Sequence, residues 1–279
     1  DLINAQQQGP AQRQALNLCS PLIDRSLDGS LDGSDDHHVW TDLASVVEVA
    51  PDQPVVILGG FLITDEAYLP MADWIQRRSG APVRIVHATR LDWLATSWGF
   101  GWVRLLDRVD ACVQELQGRD SRRSVTLIGH SSGGVMLRPY LSDEPFEGRT
   151  YRGADRCNRL VTLGSPHQAR RATPLRAQVD RRFPGCPLAD RVDYLAVAGR
   201  LDLLGSNASN FSRRSASRSY NQICGDPSAP GDGLVPEASA LLRQARSLVL
   251  EDTAHGGLFG SSWYGSLDRV EAWWSALEG

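Results

Sequence analysis

Val125-Thr126-Leu127-Ile128-Gly129-His130-Ser131-Ser132-Gly133 is the stretch from which the fold of this 279-residue chain is read. A short apolar, β-type run leads into Gly-x-Ser-x-Gly, and the residues from Gly134 onward can continue as a helix. A serine at a sharp strand-to-helix turn needs small neighbours two positions before and after it, and Gly129 and Gly133 supply them. The spacing predicts a nucleophile elbow, with the Ser131 hydroxyl exposed above the sheet edge. The backbone N–H of Ser132 would point where an oxyanion forms.

Outward from this stretch, strand-like and helix-like segments alternate from Pro54 onward. Strands are predicted near 55–58, 83–87, 125–128, 160–163, 194–198 and 248–250. Helices are predicted near 68–78, 103–116, 134–141 and 267–277. Alternation of this kind builds an α/β fold, a mostly parallel sheet with helices on both faces.

A serine hydroxyl is a poor nucleophile near neutral pH and needs an imidazole base oriented by a carboxylate. In an α/β-hydrolase sheet the acid follows a later strand and the histidine follows the last one. Gly231-Asp232-Gly233-Leu234-Val235-Pro236 and, after the strand at 248–250, Glu251-Asp252-Thr253-Ala254-His255-Gly256-Gly257 occupy those places. Asp232 is the candidate acid and His255 the candidate general base. Asp202 also follows a strand and competes for the acid, but the short run from Asp232 to the final strand favours Asp232. Asp226 sits in a Gly-Asp-Pro turn, sufficient reason for its presence. Of the six histidines (His37, His38, His87, His130, His167, His255), only His255 follows the acid.

A second oxyanion donor is expected after an early strand. Val55-Val56-Ile57-Leu58 is a continuous apolar run ending in Gly59-Gly60-Phe61-Leu62, so the N–H of Phe61 is the candidate beside that of Ser132. An ordinary strand-to-helix turn explains a glycine pair equally well, and only Ser131 tips the balance.

Composition narrows the function. The formal charge of −4 and the absence of a basic stripe argue against nucleic acid as a partner. All 29 basic residues are arginine, so lysine Schiff-base or lysine general-base chemistry is excluded. Five scattered cysteines (Cys19, Cys112, Cys157, Cys186, Cys224) have no zinc spacing and fit reduced thiols in a cytoplasmic-type compartment. A bridge between Cys186 and Cys224 is the alternative. No apolar run is long enough to span a bilayer, and the first residues lack a basic-then-apolar signal pattern. The sequons at Asn207 and Asn210 count only in a secreted eukaryotic protein.

Residues 1–50 read as a polar extension and 51–279 as the hydrolase domain. The aspartates of 28–36 lack the distal glutamate of a calcium loop, which favours a solvated segment, and a helix over 11–23 is possible. Arginine-rich residues 167–191 fall where a small cap is built, and 203–230 form a long irregular loop. Their arginines fit solvated charges better than contacts to anionic head groups. Trp93, Trp98 and Trp102 either line an acyl pocket near Phe61 or pack a core.

Gly129-His130-Ser131-Ser132-Gly133-Gly134, Thr162-Leu163-Gly164-Ser165-Pro166-His167, Tyr220-x-Gln222-Ile223-Cys224-Gly225, Gly231-Asp232-Gly233-Leu234-Val235-Pro236-Glu237 and Trp263-Tyr264-Gly265-Ser266 stand in one order. Over about residues 54–277 they resemble the lipase-like α/β-hydrolases of cyanobacteria and plant plastids, often grouped with GPI inositol-deacylase-like proteins. The resemblance implies a carboxylic-ester hydrolase using Ser131, Asp232 and His255, with Phe61 and Ser132 at the oxyanion. The family's first-strand loop often reads Pro-Gly or His-Gly, where this chain has Gly59-Gly60. The expected substrate is an apolar acyl ester, a small molecule or a lipid met in transient membrane-surface contact, with no cofactor and no metal. An acyltransferase and a non-catalytic ligand-binding protein are the alternatives.

Overall fold

Val55, Val56, Ile57 and Leu58 are all buried, the pattern of a strand covered on both faces. The structure, a computed structural model, describes residues 47–118 and 123–278. After β1 (Val55–Leu58) come α1 (Leu69–Ser79), β2 (Val83–Ile85), α2 (Arg90–Ala95), α3 (Gly99–Gln117), β3 (Val125–His130) and α4 (Ser132–Leu141). The second half adds β4 (Cys157–Leu163), α5 (Pro174–Arg182), β5 (Asp193–Arg200), α6 (Asn210–Ile223), α7 (Glu237–Ala240), β6 (Arg246–Glu251) and α8 (Leu267–Glu278).

The six strands form one parallel sheet in the order β2-β1-β3-β4-β5-β6. Alternate side chains feed two apolar layers. Val56, Leu58, Leu127 and Leu160 pack with Trp102, Leu105, Leu106 and Met136 from α3 and α4. Val55, Ile57, Val161 and Val197 pack with Met71, Ile75, Trp273 and Trp274 from α1 and α8. The chain runs outward from β1 to β2 and then returns to β3 on the other side of β1. That reversal opens a crevice beyond the carboxyl ends of β1 and β3, where ligands bind in open α/β sheets. Leu58 lies opposite Gly129, so the loop after β1 stands beside the turn after β3.

The structure departs from the sequence reading in several places. Residues 203–230 are not one irregular loop, because α6 occupies half of them. This helix buries Ser212, Ala216 and Tyr220 at four-residue spacing. Abundant serine and arginine hide the few apolar positions of one face, Ala216, Tyr220 and Ile223. The segment 167–191 contains α5, and the aromatic stretch at 90–102 contains α2, opened by a capping box between Thr89 and Asp92. The tryptophans divide between the two readings. Trp93 is fully buried and Trp98 is exposed against Phe100, while Trp102 is buried and also lines the main cavity. Cys186 and Cys224 are both free thiols, so no bridge joins them. Cys186 is buried, whereas Cys224 ends α6 with its Sγ donating to the Tyr220 carbonyl. The readings at 1–46, including His37, His38, Cys19, the possible helix and the aspartate cluster, lie outside the described residues. Among the described residues, no helix is long and apolar enough to cross a membrane, and no cluster suits a metal.

Candidate active site

β3 ends at His130 and α4 begins at Ser132, leaving Ser131 alone in the turn. Its backbone has φ 53° and ψ −123°, a region that L-residues populate only at a cost of about 1–3 kcal/mol. The tight turn brings Gly133 against the backbone carbonyls of Leu58 and Gly59, where a Cβ would collide. At Gly60 a Cβ would come to 2.8 Å from Ser131 Cβ. Both glycines are demanded by the approach of the two loops.

Ser131 Oγ lies 2.9 Å from His255 Nε2, and His255 Nδ1 lies 2.8 Å from Asp232 Oδ2. All three residues are buried. Asp232 also accepts the N–H groups of Leu234 at 3.1 Å and Val235 at 2.7 Å on Oδ1, and the Tyr264 hydroxyl at 2.9 Å on Oδ2. Burial, with the Asp232 charge beside it, drives the Tyr264 pKa well above the ordinary phenol value, so Tyr264 stays a donor. A carboxylate surrounded by donors is an acceptor at every position. His255 Nδ1 therefore carries a proton toward Asp232, which in the neutral ring is the tautomer whose Nε2 can accept from Ser131. The His255 N–H donates to the Asp232 carbonyl at 2.8 Å, tying the two loops together by their backbones as well.

Asp202 takes no part. It is exposed, and its Oδ1 accepts the Leu204 N–H at 2.9 Å in a local turn. Asp226 likewise caps Ser228.

A second set of bonds runs from the β1 loop to the histidine loop. The Gly60 N–H donates to Tyr68 Oη at 2.8 Å, Tyr68 Oη lies 2.8 Å from His130 Nδ1, and His130 Nε2 lies 2.8 Å from the His255 carbonyl. A carbonyl only accepts, so His130 Nε2 donates, Nδ1 is the acceptor, and the Tyr68 hydroxyl donates to it. Burial, reinforced by nearby His255, lowers the His130 pKa well below its usual value and keeps this tautomer neutral. With the Gly60 N–H engaged, the N–H groups of Phe61 and Ser132 remain without acceptors among the described residues. Phe61 and Ser132 line the same cavity as Ser131 and His255. Sequence reasoning missed Tyr68, His130 and Tyr264 as parts of the site. Tyr264 and His130 stood in motifs with no role attached, and nothing local to Tyr68 marks it as a partner.

This cavity measures about 680 Å³ and is walled mainly by apolar groups, among them Ile63, Met136, Leu234, Phe259 and Trp263. Phe61, Leu62 and Leu258 extend its apolar lining to exposed surface. Two polar positions, Thr173 and Arg176, come from the start of α5.

No family model matches the sequence, and no curated protein matches it. Solved structures do resemble it. The lipase BlEst2 of Bacillus licheniformis, in mature form, aligns over 84% of this chain and 93% of its own, at 15% identity and a TM-score of 0.55. Est1E of Butyrivibrio proteoclasticus, with ferulic acid bound, aligns over 81% and 90% at 11% identity and a TM-score of 0.47. Tomato methylketone synthase I, complexed with 2-tridecanone, aligns over 81% and 98% at 9% identity and a TM-score of 0.44. Sheet order, helical layers and the likeness to the Bacillus licheniformis lipase agree: the chain has the α/β-hydrolase fold.

Proposed function

We propose that this protein is a serine carboxylic-ester hydrolase that works through an acyl-enzyme on an ester with an apolar acyl group, a lipid included. The observation that carries this reading is the hydrogen-bonded run Ser131–His255–Asp232 at the wall of a largely apolar cavity. Ser131 Oγ attacks the acyl carbonyl while its proton passes to His255 Nε2. The N–H groups of Phe61 and Ser132 receive the oxyanion. His255 returns the proton to the departing alcohol, water then attacks the acyl-enzyme by the same route in reverse, and Asp232 steadies the imidazolium. The resemblance over residues 54–277 to lipase-like hydrolases points the same way.

The test is hydrolysis of 4-nitrophenyl esters from C2 to C16 by the wild type and by Ser131→Ala, beside labelling with a fluorophosphonate. Loss of at least about 10³-fold in kcat on substitution, with labelling confined to the wild type, is the expected result. Equal rates in the two proteins would remove Ser131 from the chemistry. Absent labelling on folded protein would favour the ligand-binding alternative, and acyl transfer to added alcohol in preference to water would favour the acyltransferase.

A further inference from the structure

Arginine is the only side chain in this protein with a permanent positive charge. Several guanidinium groups of the domain meet carboxylates. Arg108 pairs with Asp92 at 2.8 Å, Arg159 and Arg246 share Asp193 at 2.7 Å, and Arg200 reaches Glu237 at 2.8 Å. Arg176 has no such partner. Its side chain makes no ion pair or hydrogen bond among the described residues, although it is half-buried and forms part of the cavity wall that also holds Ser131. Burial lowers its pKa, with no carboxylate opposing that effect.

The ground beneath it is also short of acceptors. Arg176 and Pro166 belong both to the main cavity and to a cleft of about 180 Å³ that His167, Asp180 and Arg181 line too. His167 is buried, its Nδ1 has no partner, and its Nε2 lies 3.1 Å from Thr162 Oγ1. Nearby Arg138 is buried with Nε and Nη1 unpartnered. Asp180 is the acidic group lining this cleft, and among the described residues no ion pair joins it to Arg176. A half-buried guanidinium with no carboxylate partner keeps its donors open to an anion that enters the cavity.

We propose that Arg176 is an anion-binding element of the cavity, so that the natural substrate is an acyl ester that also carries a carboxylate or a phosphate. This rests on the ester-hydrolase reading and narrows its substrate class. The guanidinium offers a planar, bidentate donor pair suited to either group. The anion stays intact during turnover, since the bond broken is the acyl ester at Ser131.

The experiment has a binding arm and a turnover arm. Binding of decyl phosphate, decanoate and decanol to Ser131→Ala is followed by the fluorescence of the cavity residues Trp102 and Trp263, and repeated in Ser131→Ala/Arg176→Met. The preference for each anion over decanol should fall at least about tenfold in the double variant. Arg176→Lys, which keeps the charge without the fork, should restore part of it. Arg171→Gln, at an exposed arginine of the same segment, should leave the preference intact. Turnover compares 1-acylglycerol 3-phosphate with 1-monoacylglycerol, and monomethyl suberate with methyl octanoate, which separates a phosphate in the alcohol from a carboxylate in the acyl chain. The anionic-to-neutral ratio of kcat/KM should drop in Arg176→Met for one pair. No anion preference in the wild type, or one equally reduced by Arg171→Gln, overturns the proposal while ester hydrolysis stands. An Arg176-dependent binding preference in a protein that hydrolyses no ester overturns the hydrolase reading and leaves the anion site.

Discussion

Ser131 holds a backbone conformation that a Cβ makes expensive, and the site around it explains why that cost is kept. A serine in this geometry projects Oγ clear of both strand and helix and toward His255. The strain is measurable. Ser131→Gly should be more stable than Ser131→Ala by about 1 kcal/mol in urea unfolding, because glycine adopts this conformation freely while both variants lack the hydroxyl. Tyr68 is the second residue with a clear expectation. Tyr68→Phe deprives the buried Gly60 N–H of its acceptor and His130 Nδ1 of its donor, at a cost of about 2 kcal/mol in stability. In ester hydrolysis it should lower kcat with little change in KM, since the loop carrying the Phe61 N–H loses its anchor. An unchanged kcat would show that the anchor is dispensable.

Among the elements, α6 illustrates what holds a helix whose apolar stripe is sparse. Ser209 caps it by accepting the Ser212 N–H at 3.1 Å, and its own hydroxyl donates to the Leu258 carbonyl at 2.8 Å. The far half of the helix presents Tyr220, whose Oη accepts the Gly233 N–H at 2.6 Å in the loop that carries Asp232. α6 thus links the surface segment to the acid. Ser209→Ala should cost about 1 kcal/mol in unfolding free energy and raise hydrogen exchange in the first turn of α6. At β1 and β3 the legible signal was strong, because strands buried on both faces read as continuous apolar runs. At α6 it was faint, because its few apolar positions stand among serines and arginines and the helix is held largely by a cap and by tertiary hydrogen bonds.

For the whole molecule, two buried histidines set the response to acid. Burial lowers the pKa of both His130 and His167 well below the ordinary value, so each is neutral in the folded protein. Unfolding lets them titrate near pH 6.5. The unfolded chain therefore binds more protons below that pH, and stability is full above about 6.5 and declines as pH falls, by roughly 1.4 kcal/mol per pH unit for each histidine. In His130→Gln the slope between pH 6.5 and 5 should be shallower by one proton, as read from urea unfolding at several pH values. An unaltered slope would mean that His130 is protonated in the folded state. The sequence by itself determined the alternating strands and helices, the elbow at Ser131 and the order Ser131, Asp232, His255, because each depends on local residue types and on chain order in a parallel sheet. The tertiary structure alone brought Asp232, already favoured over Asp202 by chain order, within a hydrogen bond of His255, added the Tyr264 hydroxyl to its donors and braced the loop after β1 with Tyr68 and His130. It alone set Arg176 against the cavity without a counter-charge. The physical reason is separation along the chain: the serine and histidine stand 124 positions apart and the tyrosine and histidine 62, and only the closing of the sheet brings such groups within a hydrogen bond of each other.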